Sequence, residues 1–134
     1  MVSVLFSIPK WLRLTLSMFY LGIIALLSLL PTKELPKIPL FAGADKIIHT
    51  FMYIWLTWMV CWMINAEKKQ SWYSLAVLLS ITWGVIMEVC QLNMHLGRSF
   101  DYYDILGNSN GTLLGLFVYI ALRIKYKTLI SNFL

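Results

Sequence analysis

Four long apolar runs limit what this chain can fold into more than any other feature of its sequence. They extend over residues 14–30, 47–66, 72–94 and 105–122. A helix of about 17 to 25 residues crosses a hydrocarbon core of about 30 Å, so each run is long enough to span a membrane. The linkers are too short to form a separate soluble domain. The sequence therefore predicts an all-α integral membrane bundle of four transmembrane helices, forming a single domain over residues 1–134.

The composition indicates the same class of protein. Hydrophobic residues make up 60% of the chain and charged residues 13%, which is far from the balance of a soluble domain. The net charge of +5 comes from basic residues that flank the apolar runs, so we expect no nucleic acid partner. Cys61 and Cys90 lie at different depths in their runs and match no zinc-binding spacing. We therefore expect neither a disulfide nor a cofactor.

The distribution of basic residues predicts the orientation of the bundle. With four spans, both termini lie on the same side as the turn after the second run. That side carries the seven residues Lys10, Arg13, Lys68, Lys69, Arg123, Lys125 and Lys127, and the other side carries the four residues Lys33, Lys37, Lys46 and Arg98. Because a basic excess marks the cytoplasmic side, the N- and C-termini are predicted to be cytoplasmic. The first run is longer than the core of a signal peptide, and we expect it to be retained.

Polar side chains that apolar spans normally exclude gather at the opposite, extracytoplasmic ends of the runs. At helical spacing they share one face of each run: Asp45, His49 and Tyr53 in the second, Gly84, Glu88 and Gln91 in the third, and Asp104 and Asn108 in the fourth. Ionisable groups in lipid normally face the bundle interior and pair with each other. We therefore expect one shared polar pocket that opens outward.

Two of these residues are candidates for acid–base catalysis. Glu88 is a carboxylate inside a span, which by default indicates a functional site, although it could instead clip two helices together through Asn108 or His49. His49 shares a helical face with Asp45, which could orient its ring as in a base–orienter pair. If the protein is an enzyme, Glu88 and His49 are its predicted catalytic residues.

The remaining polar residues are interpreted as a ligand-binding set. Arg98 has the planar charged fork that suits a phosphate or carboxylate, but it could instead pair with Asp101 or Asp104. Carboxylates at Asp45, Asp101 and Asp104 could also cap the helices that begin there. The predicted ligand-binding residues are Arg98, Asp101, Asp104, Asn108, Gln91, Asp45 and Tyr53. The spacing of the histidine and carboxylates does not demand a metal, and none is predicted.

Small residues recur at helical spacing in the third and fourth runs. Gly107, Gly111 and Gly115 are four apart, and Gly84 lies on the polar face of the third run. In lipid, such spacing allows helix backbones to approach closely. We predict that these glycines serve helix packing, with the face formed by Gly107, Gly111 and Gly115 also able to take a membrane-protein partner.

At these residues the chain resembles the VanZ-like family of small bacterial membrane proteins. The matching motifs are Asp45-Lys46-x-x-His49-x-x-x-Tyr53, Gly84-x-x-x-Glu88-x-x-Gln91 and Gly97-Arg98-Ser99-Phe100-Asp101-x-x-Asp104-x-x-x-Asn108-x-x-Gly111-x-x-x-Gly115. The resemblance implies a helical protein of the bacterial cytoplasmic membrane, linked to reduced sensitivity to the glycopeptide antibiotic teicoplanin. It implies no known reaction. Some relatives are labelled phosphotransbutyrylase, but no soluble coenzyme A or acyl-phosphate site is visible here.

Three functions remain open at this point. The first is an outward-facing pocket that binds an anionic envelope component, such as a lipid, a lipid-linked sugar head group or a glycopeptide. The second is a membrane-embedded hydrolase or transferase that acts on an envelope lipid through Glu88 and His49. The third is a structural or assembly subunit of a larger membrane complex, in which the polar cluster only locks the fold.

Overall fold

The computed structural model describes residues 7–30, 43–94 and 100–131, with the backbone alone for Glu67, Leu129 and Ile130. This part of the chain is helical and contains no strand. Its helices are α1 (Lys10–Leu29), α2 (Ala44–Ile64), α3 (Gln70–Met94) and α4 (Tyr102–Ser131), with a short 3-10 turn at Ala66–Lys68 between α2 and α3. All four long helices are long and apolar enough to span a membrane, which confirms the predicted class of fold.

The helices are longer than the apolar runs that predicted them. α1 begins at Lys10 rather than at residue 14, and α4 continues to Ser131 rather than ending at residue 122. Hydropathy marks only the part of a helix that suits hydrocarbon, whereas backbone hydrogen bonds continue through the basic and aromatic residues at either side. The polar residues before each run are therefore held on helical backbone.

α2 and α4 make the most extensive contact of any helix pair in the described chain. Three glycines of α4 each face a backbone carbonyl of α2, Gly107 that of Lys46, Gly111 that of Thr50 and Gly115 that of Ile54. Both sets of residues are four apart and ascend together, so the two helices run parallel with their backbones in contact. The glycine face is thus filled by α2 of the same chain, and a partner helix would have to use another surface.

The interior is aromatic, while much of the outer surface is apolar. Tyr53 and Tyr119 are fully buried, and the Trp58 ring packs edge-on against Tyr119. By contrast, Phe51 and Phe117 are 66% and 71% exposed, together with many leucines and isoleucines of all four helices. A soluble protein of this size rarely exposes so much apolar surface, but a bundle surrounded by lipid does so by necessity.

α1 is attached to α2 by hydrogen bonds from its side chains to backbone carbonyls. The Ser17 hydroxyl donates to the Met59 carbonyl (3.3 Å), and the Tyr20 hydroxyl donates to the Met52 carbonyl (3.0 Å). At the other end, Arg13 donates to the Trp62 carbonyl (3.0 Å) and to the Asn65 side chain. These bonds hold α1 in place without requiring close backbone packing.

Candidate functional site

Polar side chains from α2, α3 and α4 meet near one end of the bundle. Ligand-capable atoms of His49, Glu88 and Asp104 all lie within 4.8 Å of one another. Glu88 is 1% exposed, and the side chains of His49 and Asp104 are 15% and 14% exposed. We call these three residues the polar cluster. Each comes from a different helix, as expected for side chains that face a shared bundle interior.

The His49 ring is held by residues of α4. Its Nδ1 lies 3.0 Å from the side-chain oxygen of Asn108, and its Nε2 lies 3.7 Å from Oδ2 of Asp104. The expectation that Asp45 orients this ring is wrong, because the Asp45 side chain is 58% exposed and accepts a hydrogen bond from Lys46 (2.6 Å) instead. Helical spacing predicts that Asp45 and His49 share a face of α2, but the Asp45 carboxylate contacts Lys46 rather than the His49 ring.

Lys46 is a site residue that the sequence interpretation missed. Its ammonium contacts the carboxylates of Asp45 (2.6 Å), Asp101 and Asp104 (Oδ1, 2.8 Å). The hydrogen bond from Lys46, followed by that from the Tyr103 backbone, holds the pKa of the Asp101 carboxyl below its usual value. The signal that could have revealed this role was the position of Lys46 one turn before His49, facing carboxylates at the start of the fourth run.

Asp101 links the start of α4 to α3. Its carboxylate accepts the backbone N–H of Tyr103 (2.8 Å) and so caps α4, which is one of the two roles that the sequence leaves open for Asp101, and its own N–H donates to Oε2 of Glu88 (3.2 Å). Asp45 lies in the first turn of α2, where its charge suits the helix dipole, whereas the N-cap position before that helix is held by Gly43 in a left-handed conformation with φ of 86°.

Gly84 lets two polar side chains meet beside Glu88. A Cβ built at Gly84 would lie 3.0 Å from the Asn108 amide nitrogen and 3.2 Å from the Tyr53 hydroxyl. Tyr53 is 1% exposed, and its hydroxyl has no hydrogen-bond partner in the described part of the chain. The hydroxyls of Thr57, Ser80 and Thr112, one turn deeper on the same three helices, are likewise buried without such a partner there.

Two of the predicted ligand-binding residues do not contribute to this geometry. The Gln91 amide donates to the Ser28 carbonyl (2.8 Å), so this side chain ties α3 to α1. Arg98 lies outside the described residues, as do its neighbours Gly97 and Ser99. The described site therefore consists of the polar cluster, with Asn108 and Tyr53 beside it and Lys46 at its rim.

The charges of the described site are mainly negative. It holds four carboxylates, from Asp45, Glu88, Asp101 and Asp104, and a single ammonium, that of Lys46. Lys46 is already engaged by three of them, so it is not free to bind an added anion. An imidazole beside buried carboxylates is suited to proton transfer or to holding a cation.

Comparisons with known proteins place the chain in a family. No curated protein and no solved structure matches it significantly. The family model described as VanZ/LLP1 matches residues 2–123, which include all four helices up to Arg123. This match agrees with the resemblance of the polar motifs. The chain belongs to the VanZ/LLP1 family.

Proposed function

We propose that this VanZ-like membrane protein acts on the head group of an envelope lipid by acid–base chemistry, at the extracytoplasmic surface of the bacterial cytoplasmic membrane. The observation that carries the proposal is the polar cluster itself, in which a carboxylate that is 1% exposed adjoins an imidazole and a second carboxylate. A buried ionisable group at membrane depth is costly, and it is rarely kept without a functional use.

The depth of the cluster suits a lipid head group. Asp104 lies two residues inside the start of α4, His49 five residues inside the start of α2, and Glu88 six residues before the end of α3. At 1.5 Å per residue these positions are about 3 to 9 Å from the helix ends. The excess of basic residues at the opposite end of the bundle favours an extracytoplasmic location for the cluster.

Two side chains of the polar cluster can divide the proton transfers of a hydrolase or transferase. His49 presents Nε2 toward Asp104 while Asn108 holds its Nδ1, and Glu88 offers a second proton-transfer group. One group would accept the proton of an attacking hydroxyl, and the other would protonate the leaving group. Arg98, three residues before Asp101, would bind a phosphate of the head group.

Turnover of lipids by the purified protein tests this proposal. The full chain, reconstituted in vesicles of bacterial lipid extract, should change the lipid mass spectrum with time. Glu88→Gln should stop the change because it removes the buried proton-transfer group. Glu67→Gln makes the same chemical change in the turn between α2 and α3 at the other end of the bundle, and it should retain full turnover. Unaltered lipids with the unsubstituted protein would refute the proposal.

The proposal extends to the phenotype implied by the resemblance. A protein that binds or modifies an anionic lipid or lipid-linked sugar would alter the envelope surface that teicoplanin meets. Expression should therefore raise tolerance of teicoplanin, and Arg98→Ala should abolish the effect at an unchanged protein level, because the charged fork is lost. Full tolerance with Arg98→Ala would remove Arg98 from the site.

A second candidate is an assembly subunit whose polar groups only lock the bundle. It is favoured by the bonding of Lys46 to three carboxylates and of Gln91 to Ser28, which leaves these side chains occupied within the fold. In that case Glu88→Gln should chiefly lower thermal stability, and the protein should co-purify with a larger membrane partner. A monomer that turns over lipid would exclude this candidate.

A further inference from the structure

We propose that His49, Glu88 and Asp104 bind a divalent transition-metal ion such as Zn²⁺ or Mn²⁺, through one imidazole nitrogen and two carboxylate oxygens. The inference deepens the proposed function and rests on the same site. A cation bound at that site would allow the acidic pocket to hold an anionic head group. Three side chains from three helices would leave at least one coordination position open.

The three donor atoms lie close enough together to bind the same metal ion. All three lie within 4.8 Å of one another, and Nε2 of His49 is 3.7 Å from Oδ2 of Asp104. Zinc lies about 2.0 to 2.2 Å from such ligand atoms in tetrahedral geometry, so two ligands of one ion are about 3.4 Å apart. Nε2 of His49 and Oδ2 of Asp104 are already near this separation, and rotation of the Glu88 side chain would have to bring its oxygen closer by up to about 1.4 Å.

The bond between His49 and Asn108 determines which ring nitrogen is available. The Asn108 side-chain oxygen accepts a hydrogen bond, so Nδ1 of His49 carries the proton. In the neutral ring, Nε2 then has a lone pair that faces the Asp104 carboxylate. Two electron-rich atoms facing each other require a proton or a cation between them. Metal-binding histidines have this arrangement, in which the other ring nitrogen donates to an oxygen.

The charge balance around Glu88 also favours a cation. Among residues 7–30, 43–94 and 100–131, Glu88 forms no salt bridge, although it is 1% exposed. Asp104 shares Lys46 through Oδ1 only, which leaves Oδ2 directed toward His49. A buried carboxylate without a compensating charge is strongly destabilising. A divalent ion would neutralise both carboxylates together.

A buried hydroxyl provides a second, independent indication of a ligand. The Tyr53 hydroxyl lacks a hydrogen-bond partner in the described ranges and lies against Gly84, one helical turn before Glu88, beside the Asn108 amide. An unpaired buried hydroxyl is costly, and a water or substrate oxygen bound in the cluster would satisfy it. The other group of carboxylates, formed by Asp45, Asp101 and Asp104, is different because Lys46 occupies its centre.

The donor set indicates the class of metal. Imidazole with carboxylate suits Zn²⁺, Mn²⁺ and Fe²⁺, whereas Ca²⁺ and Mg²⁺ prefer oxygen alone and Cu⁺ prefers sulfur. An ion with an open position activates water and draws phosphate oxygens toward it. With an ion bound, Glu88 and His49 would act as ligands, and the metal-bound water would be the attacking group. Its oxygen would form the new bond to the head group, and its proton would pass to the oxygen of the bond that breaks.

Metal analysis of the full chain tests the inference directly. The protein is purified in detergent without a polyhistidine tag, stripped with chelator, dialysed against ZnCl₂ or MnCl₂, and analysed for bound metal. We expect about one ion per chain, and a Tm that rises with metal concentration because binding stabilises the folded state. His49→Gln, Glu88→Gln and Asp104→Asn should each lower the metal content at least tenfold, while Glu67→Gln should retain it.

Further measurements distinguish a variant that has lost the metal site from one that has failed to fold. Helical circular dichroism identifies any variant that fails to fold, and Co²⁺ substitution gives a visible spectrum that reports imidazole and carboxylate ligation in those that fold. Wild-type protein without bound metal, or variants that bind as much as wild type, would overturn the inference. Lipid turnover by chelator-stripped protein would overturn the metal but leave the proposed function intact. Stoichiometric metal binding without lipid turnover would overturn the proposed function but leave the metal site intact.

Discussion

At the scale of single residues, Lys46 is the centre of the charges at the rim of the site. Its ammonium lies among three carboxylates, two of which belong to the start of α4. Lys46→Met would leave Asp101 and Asp104 close together without a shared cation, so the first turns of α2 and α4 would repel each other. We expect the Tm in detergent to fall by several degrees. Lys69→Met, an exposed lysine at the other end of the bundle, should have no effect, and equal Tm values for the two variants would contradict this view.

Substitution of Tyr53 tests separately how its buried hydroxyl affects stability and how it affects lipid turnover. Because the hydroxyl has no hydrogen-bond partner within the described chain, Tyr53→Phe removes an unsatisfied group and should leave the free energy of unfolding unchanged or raise it by up to about 1 kcal/mol. If the hydroxyl contacts bound substrate, the same variant should lower lipid turnover. A large loss of stability on denaturation of ligand-free protein would show that the hydroxyl has a structural partner.

At the scale of elements, the contact between α2 and α4 depends on the absence of side chains. A Cβ at Gly111 or Gly115 would overlap the Thr50 or Ile54 carbonyl, while at Gly107 it would lie 3.1 Å from the Lys46 carbonyl. Backbone cannot move aside as a side chain can, so Gly111→Ala and Gly115→Ala should destabilise the bundle by about 1 to 3 kcal/mol or more. Gly107→Ala should cost less.

The matched control for this series is Gly22→Ala in the middle of α1. A Cβ there would meet nothing within 4 Å, and alanine favours a helix over glycine by about 0.5 to 1 kcal/mol. Its Tm should therefore stay the same or rise, as measured by thermal unfolding in detergent. If all four alanine variants behaved alike, the close approach of α2 and α4 would not be the reason for the glycines.

At the scale of the whole molecule, the sequence predicts the helices better than it predicts the contacts between them. Hydropathy reports the length of each span, and spacing of four reports which residues share a face, so Glu88, His49 and Asp104 were expected to converge. Spacing does not give the rotation of one helix against another or the competition between neighbours. For that reason the interpretation of the sequence did not identify the pairing of Lys46 with α4 or the exposed position of the Asp45 side chain.

The orientation of the bundle is the property on which an extracytoplasmic function depends, and cysteine labelling tests it. Cys61 is buried and Cys90 is partly buried, so replacing both by alanine gives a background without native thiols. Tyr103→Cys, 67% exposed at the start of α4, should react with a membrane-impermeant maleimide in intact cells or spheroplasts. Lys69→Cys, between α2 and α3, should react only after permeabilisation, because the basic excess retains that end in the cytoplasm. The reverse pattern would place the polar cluster in the cytoplasm and exclude an envelope head group at the outer surface as its ligand.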